Sequence, residues 1–219
     1  MIYIREVITK DDLKRIKKLL KRLTWIDGLI SYNGGHDVKL LEQAESDEYT
    51  DEIVQHVFNN INKDSEFLIK TSARSSGTPI ISRVNVGGYY KPHQDAFNNG
   101  DYSTTVFLSD PDSYVGGELC LYVNDKVQKV KLPAGYAVTY DTGYIHAVSE
   151  VTKGTRHCAV FWTHSEVVDP KIREMTYKLE VALKNIKNKD LAMDVVEASK
   201  NPTFLIASVI RDLKKDSRR

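Results

Sequence analysis

The chain has 219 residues, and its 31 Lys and Arg balance 30 Asp and Glu to a formal net charge of +1. This balance gives no overall attraction to nucleic acids or acidic membranes, and the length predicts one substantial domain, with room for a helical appendage. No apolar run approaches the roughly 18 residues that a membrane span needs, and the N-terminus MIYIREVITKDD is too charged for a signal sequence. Cys120 and Cys158 are too few for a disulfide framework, so we expect reduced thiols in a soluble, cytoplasmic protein.

Helical patterns occupy the first part of the chain. Thr9, followed three residues later by Asp12, is typical of a helix N-cap, and apolar residues at helical spacing continue to about residue 23. The basic residues of 14–23 alternate with leucine and isoleucine at that spacing, which favours an amphipathic surface helix over a nucleic-acid-binding arm. A second helical pattern covers residues 53–61. We therefore predict N-terminal helices within about residues 9–63.

The pattern changes between about residues 66 and 165 to short β-branched and aromatic runs separated by turn residues, beginning with FLIK at 67–70. Such runs, at roughly ten-residue spacing, predict an antiparallel sandwich or barrel. Asn124-Asp125 between two runs predicts a hairpin turn. Asp169-Pro170 and Asn201-Pro202 are each typical of an N-cap followed by the first residue of a helix. The predicted fold class is mainly β with flanking helices (α+β).

A histidine and an aspartate lie two positions apart in YYKPHQDAF, at His93 and Asp95. Positions i and i+2 of a strand share one face, so both side chains can hold the same object. His146 begins a later run, and an antiparallel barrel can bring it back beside His93. Two imidazoles and one carboxylate suit non-haem Fe(II), and also zinc with an open coordination position. These three residues alone leave both metals open.

Arg156 lies ten residues after His146, on a run where alternate residues share one face. An arginine that points into a barrel is costly unless it meets an anion, and its planar fork suits a carboxylate. A co-substrate with a carboxylate at each end, one on iron and one on Arg156, fits this pattern. That description matches 2-oxoglutarate.

The sequence resembles the PKHD-type hydroxylases, small Fe(II)/2-oxoglutarate-dependent dioxygenases related to prolyl 4-hydroxylases. The resemblance covers nearly the whole chain and rests on TWIDG at 24–28, TPIISR at 78–83, YYKPHQD at 89–95, STTVFLSDPDSYVGGEL at 103–119, VKLPAG at 130–135 and IHAVSEVTKGTRHCAVFWTHS at 145–165. It implies a double-stranded β-helix (jelly-roll) core in a dioxygenase domain of residues 1–168, and a C-terminal helical extension of 169–219 packed on that core.

The resemblance also implies roles for individual residues. His93, Asp95 and His146 are the implied iron ligands, and Arg156 the implied partner of the distal carboxylate of 2-oxoglutarate. Fe(II), 2-oxoglutarate and O2 are the implied cofactor and co-substrates, with ascorbate as an accessory ligand. Related hydroxylases commonly carry a co-substrate-binding tyrosine where this chain has Val84.

Other residues complete the candidate site. Thr105 or Tyr90 can supply the hydroxyl that Val84 lacks, and Trp162 is either core packing or a wall of the 2-oxoglutarate pocket. Asp141 is either an orienting acceptor for His146 or a surface residue. Structural or surface roles are expected for the remaining histidines, which are His36, His56, His157 and His164.

The expected reaction is hydroxylation of a peptidyl or free amino-acid side chain, with proline among the possible targets. The partners are then a peptide, a protein or an amino acid, without nucleic acid or membrane, and the oligomeric state is open. Two other functions fit less of the pattern. The first is a non-catalytic metal-binding jelly roll that acts as an interaction module through its terminal helices, and such an interaction needs none of the four residues His93, Asp95, His146 and Arg156. The second is a zinc- or iron-dependent cupin-like isomerase or hydrolase, which needs no inward-pointing Arg156.

Overall fold

This computed structural model describes residues 2–32, 35–167, 169–187, 207, 209–211 and 214. The chain divides into two compact units, Met1–Asp64 with Ser76–Thr163, and Ser65–Ser75 with His164–Arg219. The predicted helix start at Asn201-Pro202 lies outside the described residues. The predicted domain limits of 1–168 and 169–219 stay a prediction.

The N-terminal part of the first unit combines two helices with short strands. Thr9 caps the first helix as predicted, since its Oγ1 accepts a hydrogen bond of 3.1 Å from the backbone N–H of Asp12. Three short strands between the two helices were not predicted. The elements are β1 (Ile2–Glu6), α1 (Lys10–Leu19), β2 (Trp25–Asp27), β3 (Lys39–Leu40), β4 (Glu42–Ala44) and α2 (Glu48–Lys63).

The segment after α2 is helical, so the prediction of a strand at FLIK is wrong. Residues Ser65–Thr71 form α3, in which Phe67 and Thr71 are buried. These positions are four residues apart and lie on one helical face, and the Thr71 hydroxyl donates to the Phe67 carbonyl at 2.8 Å. β5 (Ala73–Ser76) follows. In the second unit, α4 (Pro170–Lys187) begins as predicted, because Asp169 Oδ1 accepts from the backbone N–H of Lys171 at 2.7 Å.

The β core consists of two antiparallel sheets and a small two-stranded ribbon. Along the larger sheet the strand order is β1-β12-β8-β15-β6-β4-β2, the smaller sheet is β11-β10-β13-β7-β3, and the ribbon is β14-β9. The remaining strands are β6 (Ile80–Val84), β7 (Tyr89–His93), β8 (Tyr102–Phe107), β9 (Tyr114–Gly116), β10 (Leu119–Val123), β11 (Lys126–Val130), β12 (Tyr136–Asp141), β13 (Ile145–Val148), β14 (Val151–Gly154) and β15 (Arg156–Ser165).

The hydrophobic core lies between the two sheets and confirms the predicted jelly-roll architecture of the α+β class. Both sheets contribute inward-facing side chains to one buried cluster, formed by Phe107, Leu119, Leu121, Val130, Val138, Tyr140 and Cys158. Both cysteines are buried free thiols. Asn124 and Asp125 have positive φ angles of 49° and 58° and join β10 to β11, so the predicted hairpin turn is confirmed.

Candidate active site

A cavity of about 530 Å³ lies between the sheets of the first unit. Side chains from both sheets line it, together with side chains from the segment that contains β3 and β4. Seven residues predicted from the sequence to form the site are among the lining residues: His93, Asp95, His146, Arg156, Tyr90, Thr105 and Trp162. Asp141, considered as an orienting acceptor, is not among them. This cavity is therefore the candidate active site.

Two neighbouring strands bring His93, Asp95 and His146 together. β7 pairs with β13 so that His93 is opposite His146, and Asp95 follows two residues after the end of β7. Asp95 Oδ1 lies 3.7 Å from Nε2 of His93, and Oδ2 lies 3.5 Å from Nε2 of His146. One nitrogen or oxygen atom from each side chain falls within 4.8 Å of the other two. This is the donor set of a 2-His-1-carboxylate metal site.

The backbone orients both imidazoles. The Nδ1 atom of His93 is 2.8 Å from the carbonyl oxygen of Lys91, and that of His146 is 3.0 Å from the carbonyl oxygen of Tyr144. A carbonyl oxygen only accepts, so each Nδ1 carries a proton, and the neutral form of each ring has its lone pair on Nε2, on the side of Asp95. Burial and the nearby His146 lower the pKa of His93 well below its usual value, which favours the neutral form.

Two donors fix the Asp95 carboxylate. The Ser103 hydroxyl and the Trp162 indole N–H each donate to Oδ2 at 2.8 Å. Trp162 therefore contacts the triad directly, which goes beyond the two roles considered from the sequence. Asp141 instead accepts from the backbone N–H of Gly143 at 2.9 Å, and the orientation of His146 needs no carboxylate from it.

Arg156 is a buried cation in the cavity wall. It begins β15, is 3% exposed and packs with its guanidinium carbon 5.4 Å from the centroid of the Phe107 ring. Among the described residues, its Nε has no hydrogen-bond partner, and neither does the buried hydroxyl of Tyr114. Burial raises the pKa of Tyr114 to about 12, while the Arg156 charge acts in the opposite direction. An unsatisfied guanidinium N–H beside a cavity is suited to an anion.

Glycine makes room for Arg156. The bend at Gly116-Gly117, which leads into β10, has φ angles of 76° and 65°, a conformation that favours glycine. A Cβ on Gly117 would lie 3.1 Å from Cδ of Arg156. The backbone at Gly117 therefore packs closely against the Arg156 side chain and forms one side of the Arg156 site.

Thr105, Tyr90 and Tyr140 each bring to the cavity lining a hydroxyl group that Val84 does not carry. Thr105 is buried on β8, and Tyr90 stacks its ring on the imidazole of His93 with a centroid distance of 3.6 Å. Tyr140, which was not identified from the sequence, is buried on β12 with its ring 5.2 Å from that of His146. Burial raises the pKa of Tyr140, and hydrogen bonds with Thr105 and Ser103 oppose this effect. Strand alternation from Val138 was the signal that could have identified it.

A second buried cation, Lys39, also lines the cavity and was not identified from the sequence. Its Nζ donates to the carbonyl oxygen of Gly28 at 2.7 Å and to the Ser31 hydroxyl at 2.9 Å. Burial lowers the pKa of Lys39 to about 8, so the ammonium form still dominates at neutral pH.

The other histidines are absent from the cavity lining. His36 pairs with Asp27 at 2.6 Å, and His56 pairs with Asp12 at 2.8 Å. His157 packs against Trp25 with a centroid distance of 5.5 Å. Burial, and then the charges of Arg83 and Arg156, lower its pKa to about 4.

The residues of the cavity fit Fe(II) and a dicarboxylate co-substrate. The triad offers two neutral nitrogen donors and one carboxylate, which leaves coordination positions open for further ligands. Arg156 offers an unpartnered, buried N–H to an anion in the same cavity. The two halves of the predicted site thus occur together.

Comparisons with known proteins agree with this fit. Residues 79–164 match the family model of the 2OG-Fe(II) oxygenase superfamily. The PKHD-type hydroxylase YbiX of Escherichia coli strain 55989 is 32% identical over 200 residues, which cover 86% of this chain and 89% of that protein. The chain belongs to the PKHD-type hydroxylases. It is an Fe(II)/2-oxoglutarate-dependent dioxygenase, as the resemblance implied.

Solved structures share the fold of this PKHD-type hydroxylase. A Pseudomonas putida prolyl-4-hydroxylase has a TM-score of 0.53 and 13% identity, covering 74% of this chain and 92% of that one. A Trichoplax adhaerens prolyl hydroxylase, solved with a hypoxia inducible factor oxygen degradation domain peptide fragment, has a TM-score of 0.54 and 16% identity over 75% of this chain and 84% of that one.

Within the part of the chain that the structure describes, no helix combines the length and the apolar composition that a membrane span requires.

Proposed function

We propose that this dioxygenase hydroxylates an unactivated C–H bond of a peptidyl or free amino-acid side chain, with proline among its targets. The observation that carries the proposal is the joint presence in one cavity of the triad and of Arg156 with its unpartnered Nε. A prolyl hydroxylase of the same fold was solved with a peptide, which supports a peptide or protein substrate.

His93, Asp95 and His146 are the proposed iron ligands. Nε2 of each histidine is free of the backbone contact that holds Nδ1, so it is available to the metal. Trp162 and Ser103 keep the Asp95 carboxylate turned toward the two rings. When bound together, Fe(II) and 2-oxoglutarate supply the oxidative chemistry, in which O2 converts 2-oxoglutarate to succinate and CO2 and hydroxylates the substrate.

Arg156 is the proposed partner of the distal carboxylate of 2-oxoglutarate. Its fork geometry allows a bidentate contact, and its burial makes that contact strong because water does not compete. Thr105, Tyr90 and Tyr140 are proposed to supply hydroxyl contacts to the co-substrate, because position 84 carries a valine in place of a tyrosine.

Apolar side chains form part of the cavity wall. Leu119 and Val148 of the smaller sheet and Phe161 of β15 line it between the polar groups. Their role is to exclude water from the reacting C–H bond and to keep the electrostatic contacts of Arg156 in a low dielectric.

Ascorbate binding and a cytoplasmic location are further parts of the proposal.

An anaerobic titration tests the proposal. Metal-free protein receives Fe(II) and then 2-oxoglutarate, and the visible charge-transfer absorption of the chelate is followed. Arg156→Ala is compared with Arg22→Ala, which removes an exposed arginine. A hydrogen bond to a charged group contributes about 1.5–3 kcal/mol, so Arg156→Ala should need at least about tenfold more 2-oxoglutarate. Iron binding without the absorption band would refute the assigned co-substrate site.

Turnover is then measured in air with a library of peptides and N-acetyl amino acids. Consumption of 2-oxoglutarate that rises with one of these compounds, with one succinate formed per hydroxylated product, supports the proposed reaction. Equal consumption with every compound, and no hydroxylated product, would refute the proposed substrate class.

A further inference from the structure

Lys39 is a buried cation with an unused donor in the wall of the active-site cavity. Its residue is 5% exposed, and Nζ is held by the Gly28 carbonyl and the Ser31 hydroxyl at 2.7 and 2.9 Å. An ammonium group has three N–H donors, so one donor is left after these two contacts. The ring of Tyr90 lies beside it, with the centroid 5.3 Å from Nζ.

No ion pair joins Lys39 to any carboxylate in the part of the chain that the structure describes. The two acids whose charges act on it are Asp27 and Asp95. Asp27 pairs with His36 at 2.6 Å, and Asp95 accepts from Ser103 and Trp162. A buried charge that lacks a counter-ion is costly, and a bound anion would offset that cost.

Two neighbours give the Lys39 site a built shape. Ser31 Oγ also accepts a hydrogen bond of 2.5 Å from Nε2 of Gln43, so Ser31 joins the lysine to the amide. Gln43 is itself buried, on β4 of the larger sheet, and all three side chains line the cavity. The N–H groups of Lys39 and Gln43 are donors with fixed positions, which is the arrangement that an oxygen anion needs.

The Lys39 site and the Arg156 site are on different strands. Arg156 is on β15, an inner strand of the larger sheet, whereas Lys39 is on β3, the edge strand of the smaller sheet. Lys39 is paired in register with Tyr90, whose ring stacks on His93. Lys39 thus borders the triad through Tyr90, and it is available to a second anion when Arg156 holds the co-substrate.

We propose that Lys39, together with Ser31 and Gln43, binds a carboxylate of the molecule that is hydroxylated. This inference rests on the proposed function and names its substrate class as carboxylate-bearing amino acids or peptides. The carboxylate comes either from the C-terminus of a free or terminal amino acid, or from an acidic side chain beside the hydroxylated residue. The cavity volume of about 530 Å³ lies within the range of small-molecule sites.

Matched acid and amide probes distinguish the two sources. N-acetyl-L-proline and N-acetyl-L-prolinamide differ only at the α-carboxylate. N-acetyl-L-glutamic acid α-amide and N-acetyl-L-glutamine amide differ only at the side chain. Each probe is titrated by NMR into anaerobic protein loaded with Fe(II) and 2-oxoglutarate, so that Arg156 is occupied. At least one acid should bind about tenfold or more tightly than its amide.

Two lysine variants assign the effect. Lys39→Met should abolish the preference for the acid, whereas Lys126→Met, which removes an exposed lysine on β11, should retain it. Ser31→Ala, which removes one of the groups that hold Nζ, should weaken the preference and serves as the second variant if Lys39→Met does not fold.

Three outcomes would overturn the proposal. They are equal binding of acid and amide in both pairs, a preference that survives Lys39→Met, and a higher 2-oxoglutarate requirement in Lys39→Met, which would assign Lys39 to the co-substrate. Failure of the proposed function is seen separately, because the Fe(II) and 2-oxoglutarate chelate then does not form in the wild type. In that case the same probe pairs, titrated into metal-free protein, still test Lys39.

Discussion

The indole N–H of Trp162 donates a hydrogen bond of 2.8 Å to Oδ2 of Asp95. This bond connects β15 of the larger sheet to the segment that follows β7 of the smaller sheet. The carboxylate of the triad is therefore oriented by the opposite sheet, with Ser103 of β8 as a second donor. The geometry of the proposed iron site depends on how the two sheets face each other.

Trp162→Phe removes this donor and keeps an aromatic ring. Loss of a hydrogen bond to a ligating side chain typically lowers metal affinity about 10- to 100-fold, and we expect a decrease in that range for Fe(II). Anaerobic calorimetry measures it, with Trp25→Phe as the control because Trp25 lies against His157, outside the cavity lining. An unchanged iron affinity in Trp162→Phe would contradict the orienting role.

His93→Ala should abolish Fe(II) binding and turnover without unfolding the protein. The side chain lies in the cavity wall and is absent from the buried cluster between the sheets. His36→Ala, which removes a histidine paired with Asp27, should bind iron as the wild type does. Iron calorimetry and circular dichroism of the metal-free proteins give the two readouts. Loss of the folded spectrum in metal-free His93→Ala, with the metal-free wild type folded, would instead show that the His93 side chain itself supports the fold.

Gly117→Ala should weaken binding of 2-oxoglutarate as well as the fold. The new Cβ meets Cδ of Arg156 at 3.1 Å and adds the strain of a positive φ of 65°. Gly87→Ala is the matched control, because its φ is 83° and its Cβ would meet nothing within 4 Å. The positive φ should cost each variant about 1–2 kcal/mol of unfolding free energy, measured in urea, and Gly117→Ala should lose more because its Cβ also meets Cγ2 of Val151 at 2.9 Å. Only Gly117→Ala should raise the 2-oxoglutarate concentration that is needed to form the chelate. If Gly117→Ala and Gly87→Ala need the same concentration, the contact of the new Cβ with Arg156 is contradicted.

The half-buried His157 should make the protein less stable in acid. Its pKa is about 4 in the folded protein and about 6.5 in an unfolded chain. Below pH ~6.5 the unfolded state therefore binds a proton that the folded state does not, and the free energy of unfolding falls by at most ~1.4 kcal/mol per pH unit until pH ~4. Above pH ~6.5 the histidine is neutral in both states and has no such effect.

His157→Gln should remove this part of the pH dependence. Urea unfolding of the metal-free wild type and variant at several pH values between 7 and 4.5 isolates the contribution of His157, because the other titrating groups are common to both proteins. The stability difference between the two proteins should shift steadily in favour of the variant as the pH falls. Parallel stability curves would show that His157 is protonated in the folded state at its usual pKa.

The sequence was sufficient to predict the meeting of His93, Asp95 and His146, because short-range spacing and jelly-roll topology together determine it. Residues at i and i+2 share a strand face, and antiparallel pairing of β7 with β13 returns His146 to His93. The inward position of Arg156 followed from strand alternation in the same way. Their functions as ligands and anion-binding group stay proposals.

Other features could not be predicted because their causes are tertiary. FLIK is too short an apolar run to distinguish a helix from a strand, and burial of Phe67 and Thr71 on one side selects the helix. Lys39 is on a strand of only two residues, Lys39–Leu40, where no periodicity can appear. A lysine is rarely buried, so the position of Lys39 in the cavity depends on its contacts with the Gly28 carbonyl and with Ser31. These groups lie 11 and 8 residues away in the sequence but close to Lys39 in space.

The two histidines receive their orientation from main-chain carbonyls, two residues earlier in each case, at Lys91 and Tyr144. Every amino acid carries that carbonyl group, so substitutions at these two positions leave the acceptor in place as long as the strand path is kept. The backbone carbonyls thus determine which nitrogen of each neutral imidazole carries the proton. A change of side chain at position 91 or 144 therefore leaves the same two nitrogen atoms facing Asp95.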